Sequence, residues 1–325
     1  MVQARWGHLN RDEGRLTRAQ ALAIDGHFGV EQAARATAGF LGAFNGSAGV
    51  WRREAIADSG GWSSDTLTED LDLSIRAQLR GWRVRYVEQV EVPAELPRTL
   101  GALKAQQRRW AQGSTETAKK HARALLRSDR PLAARLEALV HLTHYFTQPL
   151  ILLAALLALP LDLAVAGGER PGLGTLALPL LAASGGPTAL YLTAQRRLGG
   201  PLLRRLRDLP WLLLLGTGLM VSNSVAVARG LVGAGGAFVR TPKGTARPAP
   251  GGTGLALVET LAALGFLALA ARLVHHGLAS LAPFLLLDGL GLLWVGAGSL
   301  LERLSRTRAI EAASEGDALA PEEGA

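Results

Sequence analysis

The sequence predicts an α/β domain followed by an all-α transmembrane region of two helical hairpins plus an interfacial helix. Three observations carry that reading. Mean hydropathy is positive, +0.18, although 19% of residues are charged, so charge and apolar sequence must be segregated. The chain is mixed and polar up to about Arg130, and from Leu142 it becomes long runs of Leu, Ala and Gly. Strand-like and helix-like stretches alternate over short links in the polar part, as in an α/β layer. The 325 residues carry a net charge of +8 and include no cysteine, which excludes disulfides and thiolate metal sites. A basic balance suits nucleic acid, anionic lipid or a phosphorylated substrate. Much of the arginine lies beside apolar runs, which favours cytoplasmic membrane flanks over nucleic acid.

In chain order, "MVQARWGHLNRDEGRLTR" lacks the apolar core of a secretory signal, and "VQARWGHLN" reads as the inside of a domain. "GVWRREAIADSGGW" predicts a short strand and a helix that stops at Gly60-Gly61. "DTLTEDLDLSIRAQLRGW" predicts a second helix. Thr66 and Glu69 have capping-box spacing, Leu71, Ile75 and Leu79 share a face, and Gly81 ends it. "WRVRYVEQVEV" alternates as a strand, with Pro93 and Pro97 as terminators. "TLGALKAQQRRWAQGSTETAKKHARALL" is a long basic amphipathic helix, or two.

Phe146 to Val165 and Gly172 to Ala194 approach the roughly 20 residues that cross hydrocarbon. The short link "GGERPGLG" makes them a hairpin. Arg196, Arg197, Arg204, Arg205 and Arg207 then give a strong inside signal. Leu209 to Val227 is apolar at first and polar later, between two basic loops. It is expected to lie in the interface or to re-enter rather than cross once. Leu255 to Leu273 and Ala279 to Leu301 form a second hairpin. Arg303, Arg306 and Arg308 place the C-terminus inside, and "EAASEGDALAPEEGA" reads as a disordered tail. The expected divisions are 1–130, 131–208, 209–253, 254–303 and 304–325. Glu259 and Asp288 are intramembrane carboxylates: Glu259 can reach the interface one turn from its end, whereas Asp288 calls for a partner or a wet path.

Taken singly, the polar motifs have ordinary explanations. "TED" at a helix start is capping chemistry. "DLD" (Asp70, Leu71, Asp72) imitates a metal-binding D-x-D, but residues two apart on a helix diverge by about 200°, so they do not ligate jointly. "QRRW" alone suits a solvated basic face with a tryptophan at a membrane surface. His27, His141 and His144 show no ligand spacing with carboxylates, which points to packing or helix-end roles.

The order of the motifs is more specific. "FNGSAGVWRR", "TLTEDLDLS", "VPAELP", "QQRRWAQGS", then membrane hairpins with an interposed "FVRTPKG", resembles the processive family 2 glycosyltransferases. These are cellulose synthase-like enzymes, and the nearest likeness is to the glucomannan/β-mannan synthase branch. The resemblance runs from Val2 almost to Leu301. It implies a partial GT-A-type fold and an inverting transfer of hexose from GDP-mannose or UDP-glucose to a growing polysaccharide, which the spans export. By the same resemblance Asp70 is the catalytic base, beside Thr68 and Glu69. Phe44, Asn45 and Gly46 line the acceptor end, Gln106 and Arg109 hold the nucleotide diphosphate, and Trp110 stacks on the acceptor sugar. Thr241 and Lys243 belong to a gating loop over the nucleotide. It also implies Mg²⁺ or Mn²⁺ in the complete enzyme, accessory subunits and a bacterial inner-membrane location with the catalytic part cytoplasmic. The family's true D-x-D is absent from this sequence. The chain is therefore expected to be a C-terminal part, inactive alone. The alternatives are a non-catalytic membrane channel or partner subunit, and a glycolipid glycosyltransferase.

Overall fold

The computed structural model describes residues 1–167, 174–200, 202–233, 235–236 and 253–318. The polar part begins with β1 (Val2–His8) and α1 (Arg15–Gly26), a π turn (His27–Gln32) and α2 (Ala33–Ala38). Then come β2 (Gly49–Val50), α3 (Arg53–Asp58), α4 (Glu69–Leu79), β3 (Arg85–Ala94), α5 (Leu100–Arg127) and α6 (Leu132–Thr143). The apolar part holds α7 (Thr147–Ala166), α8 (Gly174–Arg197), α9 (Leu202–Leu206), α10 (Leu209–Gly218), α11 (Met220–Val232), α12 (Thr253–His275) and α13 (Ala282–Ala318).

The sheet is small and mixed. Its order is β2-β1-β3, with β2 antiparallel and β3 parallel to β1. Pro93 does not end β3, contrary to the sequence expectation: it pairs opposite Gly7 and the strand continues to Ala94. An edge strand tolerates proline because the missing N–H faces no partner. The helix after β2 ends where the glycines predicted, with Gly60 and Gly61 both at positive φ.

α5 is the organising element, a single helix of 28 residues. Thr99 caps it, its hydroxyl accepting from the Ala102 amide at 3.2 Å. The Glu302 carboxylate from α13 accepts from the Leu100 and Gly101 amides at 2.8 and 3.2 Å. A carboxylate there complements the positive end of the helix dipole. Leu100 and Leu103 pack with Leu212, Leu215, Leu219 and Val295, which joins α5 to the apolar helices. Farther along, Leu125 and Ala118 meet Ile75, Leu41 and Leu142.

Among the described residues, Leu132–Ala166, Thr253–His275 and Ala282–Arg308 are long and apolar enough to cross a membrane. α10 and α11 form a pair bent by 46°, a broken span or a re-entrant loop. The sequence predicted a change of character within this segment, and the bend falls at it. The loop 168–173 that would close the first hairpin lies outside the described residues. The C-terminal end of α8 docks on α1, where Gly26 faces Leu190 and Tyr191 so closely that an added Cβ would lie 2.7 and 2.8 Å from them. α13 stays helical to Ala318, past residue 304 where the sequence predicts a disordered tail. Good helix formers such as Glu, Arg, Leu and Ala fill that stretch.

Polar residues among these helices find specific partners. Glu259 of α12 is buried and pairs with Lys104 of α5. Asp162, hidden in an apolar run, takes Arg272 and His276 at 2.8 Å each. No hydrogen bond or ion pair reaches Asp288 among the described residues.

Candidate active site

The site is assembled where the N-terminus of α4 crosses the middle of α5. The crossing needs a small residue, and Gly113 supplies it: an added Cβ would sit 2.6 Å from Thr68 Cγ2 and 2.8 Å from the Thr68 amide nitrogen. The buried Thr68 hydroxyl meets Thr117 Oγ1 at 3.2 Å. The Leu67 amide donates to Glu116 Oε2 at 2.9 Å, which ties the entry loop to α5. The expected Thr66–Glu69 capping box does not form. The helix starts at Glu69 with Thr68 as the cap position, and no side chain caps it. Thr66 therefore lies outside the cap position, and the Thr68 hydroxyl that could have capped the helix turns to α5 instead.

The two aspartates of "DLD" go opposite ways, as helical spacing predicts. Asp72 is completely buried against His121 (2.7 Å), Lys120 (2.8 Å) and Arg76 (2.8 Å). Burial alone would raise its pKa, but His121, Lys120 and Arg76 hold the carboxyl well below the usual carboxylate range. It is an anchor. Asp70 is half-buried on the loop side and accepts the Leu71 amide at 2.8 Å. Burial pushes its pKa up to about 6, the Leu71 N–H and Arg109 oppose that shift, and Glu69 adds to it. Desolvation thus outweighs the helix N-terminus, which by itself favours the ionised carboxyl. A carboxylate titrating near 6 is still mostly ionised at neutral pH and more basic than an exposed one.

Gly46 lies against the other oxygen. A Cβ there would be 2.8 Å from Asp70 Oδ2, and the residue sits at φ +75°. A side chain at this position would be strained and would displace the carboxylate. Its neighbours are held from below. The Phe44 amide donates to Ser74 Oγ at 2.9 Å, and the Asn45 amide donates to Gln3 Oε1 at 3.1 Å. The Phe44 ring, itself buried, stands edge-on to Trp51 at 5.8 Å.

Gln106, Arg109 and Trp110 occupy positions i, i+3 and i+4 of α5, all partly exposed. Burial lowers the Arg109 pKa, and the charges of Asp70 and Glu69 raise it again. The arginine thus belongs to the electrostatic field of the carboxylate. Trp110 stands 6.5 Å from Trp6 of β1, with the rings tilted. The structure therefore groups Thr68, Glu69, Asp70, Gly46 and Arg109, with Phe44 and Asn45 on the adjoining loop. Gln106 and Trp110 share the helix face. Thr241 and Lys243 lie outside the described residues.

These residues do not fit a divalent metal. Asp72 is saturated by cationic partners and points away from Asp70, and the described residues contain no cluster of three or more His, Asp or Glu that could hold an ion. Sequence reasoning also missed a set of groups below the loop at 44–46. His27, Glu31, Gln32 and Arg35 contact one another, and His27 and Gln32 reach Asn45. The sequence points to packing or helix-end roles for the histidines, and a π turn that brings His27 and Gln32 both to Asn45 has no signature in helical periodicity.

A family model described as "Glycosyl transferase family group 2" matches residues 1–227. Glucomannan 4-beta-mannosyltransferase 1 of Cyamopsis tetragonoloba is 45% identical over 148 residues, which is 45% of this chain and 27% of that protein. Glucomannan 4-beta-mannosyltransferase 2 of Arabidopsis thaliana is 44% identical over 131 residues, 40% of this chain and 24% of that protein. Glucomannan 4-beta-mannosyltransferase 1 of Oryza sativa subsp. japonica is 42% identical over 130 residues, 40% of this chain and 25% of that protein. The chain thus spans about a quarter of the length of these relatives. With the family model covering well over half of its residues, the chain belongs to glycosyl transferase family group 2.

Proposed function

We propose that this chain carries the base and acceptor side of an inverting glycosyltransferase that extends a β-glycan of the mannan or glucomannan type. The observation that carries the reading is the contact of Asp70 Oδ2 with Gly46, which puts a carboxylate of pKa about 6 beside the glycine of the acceptor loop. In the reaction, an acceptor hydroxyl oxygen attacks the anomeric carbon of the donor sugar. The bond from that carbon to the nucleotide diphosphate breaks, and Asp70 takes the hydroxyl proton. Preorganised proton transfer of this kind contributes about 10²–10⁴-fold in rate.

The other assignments follow from chemistry. Arg109, with Gln106, offers a guanidinium fork for the departing diphosphate of GDP-mannose or UDP-glucose. Trp110 presents an indole face to the acceptor sugar. Thr241 and Lys243 would close over the nucleotide. Mg²⁺ or Mn²⁺ would neutralise the diphosphate, held by a D-x-D segment joined to this part. The apolar helices seat the enzyme in a bilayer, a bacterial inner membrane in this reading, with the catalytic part and C-terminus cytoplasmic. They form hairpins around a glycan path, and the bent α10–α11 pair lies at the interface.

The test joins this chain to the D-x-D-bearing segment of a glucomannan mannosyltransferase and supplies membranes with labelled GDP-mannose or UDP-glucose. A labelled polymer that β-mannanase or a mixed glucomannan digest releases is expected. Transfer to lipid alone would favour the glycolipid reading. No transfer from either donor, with the fusion folded and nucleotide bound, would favour a channel or partner subunit.

A further inference from the structure

The hydrogen bonds beneath the acceptor loop form a ring whose direction is forced. Arg35 can only donate, and its Nη1 donates to Gln32 Oε1 at 3.1 Å. Gln32 must therefore turn its Nε2 outward, where it donates to Ala43 O at 2.8 Å and to Asn45 Oδ1 at 3.3 Å. Asn45 consequently presents its Nδ2 to His27 Nε2, 3.1 Å away. His27 accepts there only if its proton is on Nδ1, and Nδ1 faces Glu31 Oε2 at 2.9 Å. Arg35 Nη2 closes the ring on Glu31 Oε2 at 3.5 Å. Every donor has an acceptor in one arrangement only, with a neutral imidazole.

The contacts within the helix are at ordinary spacing, His27 to Glu31 and Glu31 to Arg35 at i, i+4 and Gln32 to Arg35 at i, i+3. The π turn bears on His27 and Gln32, five apart, which both reach Asn45. Gln3 and Ser74 also fix the loop's backbone, beside the bond from Gln32 to Ala43 O, and the His27 end of the ring bears on the Asn45 side chain alone. Asn45 adjoins Gly46, the residue against Asp70.

We propose that His27 is a positioning residue that sets the orientation of the Asn45 amide toward the acceptor glycan only while it is neutral. This rests on the acceptor-loop reading above. A protonated His27 would turn an N–H toward the Asn45 NH₂. To escape, Asn45 must flip, which sets its NH₂ against the Gln32 NH₂ that Arg35 holds in place. The titratable and charged groups facing His27 are Glu31 and Arg35 on its own helix, His141 of α6, whose ring stacks at 6.4 Å and 18°, and His144 stacked behind His141. His141 cannot relieve the conflict, because its Nδ1 accepts from Arg35 Nη2 at 2.8 Å. Acceptor affinity should therefore fall at acid pH, once protonation of the imidazole reverses this arrangement.

The experiment uses the whole chain in detergent and follows intrinsic tryptophan fluorescence with manno- and cello-hexaose from pH 8 to 5. Wild type should lose affinity about fivefold or more across that range, the equivalent of one hydrogen bond. His27→Gln keeps an acceptor near the Nε2 position but cannot be protonated, so it should bind with near-neutral wild-type affinity and a flat profile. His27→Phe, which preserves ring packing, should be weak and flat. A flat wild-type profile, a pH-dependent His27→Gln, or a His27→Phe that matches wild type would overturn the proposal. Failure of wild type to bind either oligosaccharide at any pH would sink the acceptor-loop reading itself, and this inference with it.

Discussion

The two sides of α4 carry aspartates two residues apart, and their surroundings are opposed. On the α5 side, Asp72 is sealed among His121, Lys120 and Arg76, with no exposed surface. On the loop side, Asp70 meets one amide, a bare glycine backbone and the field of an arginine. The first arrangement lowers a carboxyl pKa and the second raises it to about 6. The difference teaches that burial alone does not set a carboxylate's role. Saturation by cations makes an anchor, and desolvation beside a small-residue loop leaves oxygen free for chemistry.

The largest expected effect is on the loop side. In the fused, active polypeptide, Asp70→Asn should cut transfer by about 10²–10⁴-fold while nucleotide-sugar binding and melting temperature persist. The anchor side should respond in stability. Asp72→Ala removes the buried carboxylate that His121, Lys120 and Arg76 share, a loss of about 1.5–3 kcal/mol, read by thermal or denaturant unfolding. The sign with pH follows from its depressed pKa: the stabilisation is present above the ordinary carboxylate range and lost as pH falls through and below it.

Between the two sides stands the crossing itself. Gly113→Ala should force α4 away from α5 and cost about 1–3 kcal/mol, with Thr68→Ser expected to recover part of it by removing the methyl in contact. The smallest effect is electrostatic. Arg109 lowers the Asp70 pKa, so Arg109→Gln should move the ascending limb of the pH–rate profile, expected near pH 6, to more alkaline pH. A limb that moved to acid would place Arg109 outside the field of the base.

How much of this was readable in the sequence depends on the range of the cause. The start of α4 at "TED", the stop at Gly60-Gly61 and the length of α5 follow from local spacing, and the structure has them. The opposed directions of Asp70 and Asp72 follow from helical geometry alone. The capping box at Thr66 does not form because α4 begins only at Glu69, with Thr68 at the cap position and its hydroxyl turned to Thr117, far along the chain. The partners of Glu259 and Asp162 lie on other helices, and no spacing rule names them. The raised pKa of Asp70 has a like origin: a helix end is visible in sequence, whereas the desolvation that raises the pKa comes from the whole fold. Asp25 shows the same limit. It gathers His8, Arg11, Gln195 and Arg205 from four elements or loops, and although burial alone would raise its pKa, His8 and Arg11 lead the groups that bring it down to about 2.

The most direct measurement compares Asp70→Asn and Asp72→Asn in the fused polypeptide, reading sugar transfer and melting temperature on the same membranes. The account predicts that Asp70→Asn loses transfer and keeps its melting temperature, while Asp72→Asn melts lower and, where folded, still transfers. Transfer that survives Asp70→Asn but vanishes from folded Asp72→Asn would contradict the assignment of base and anchor.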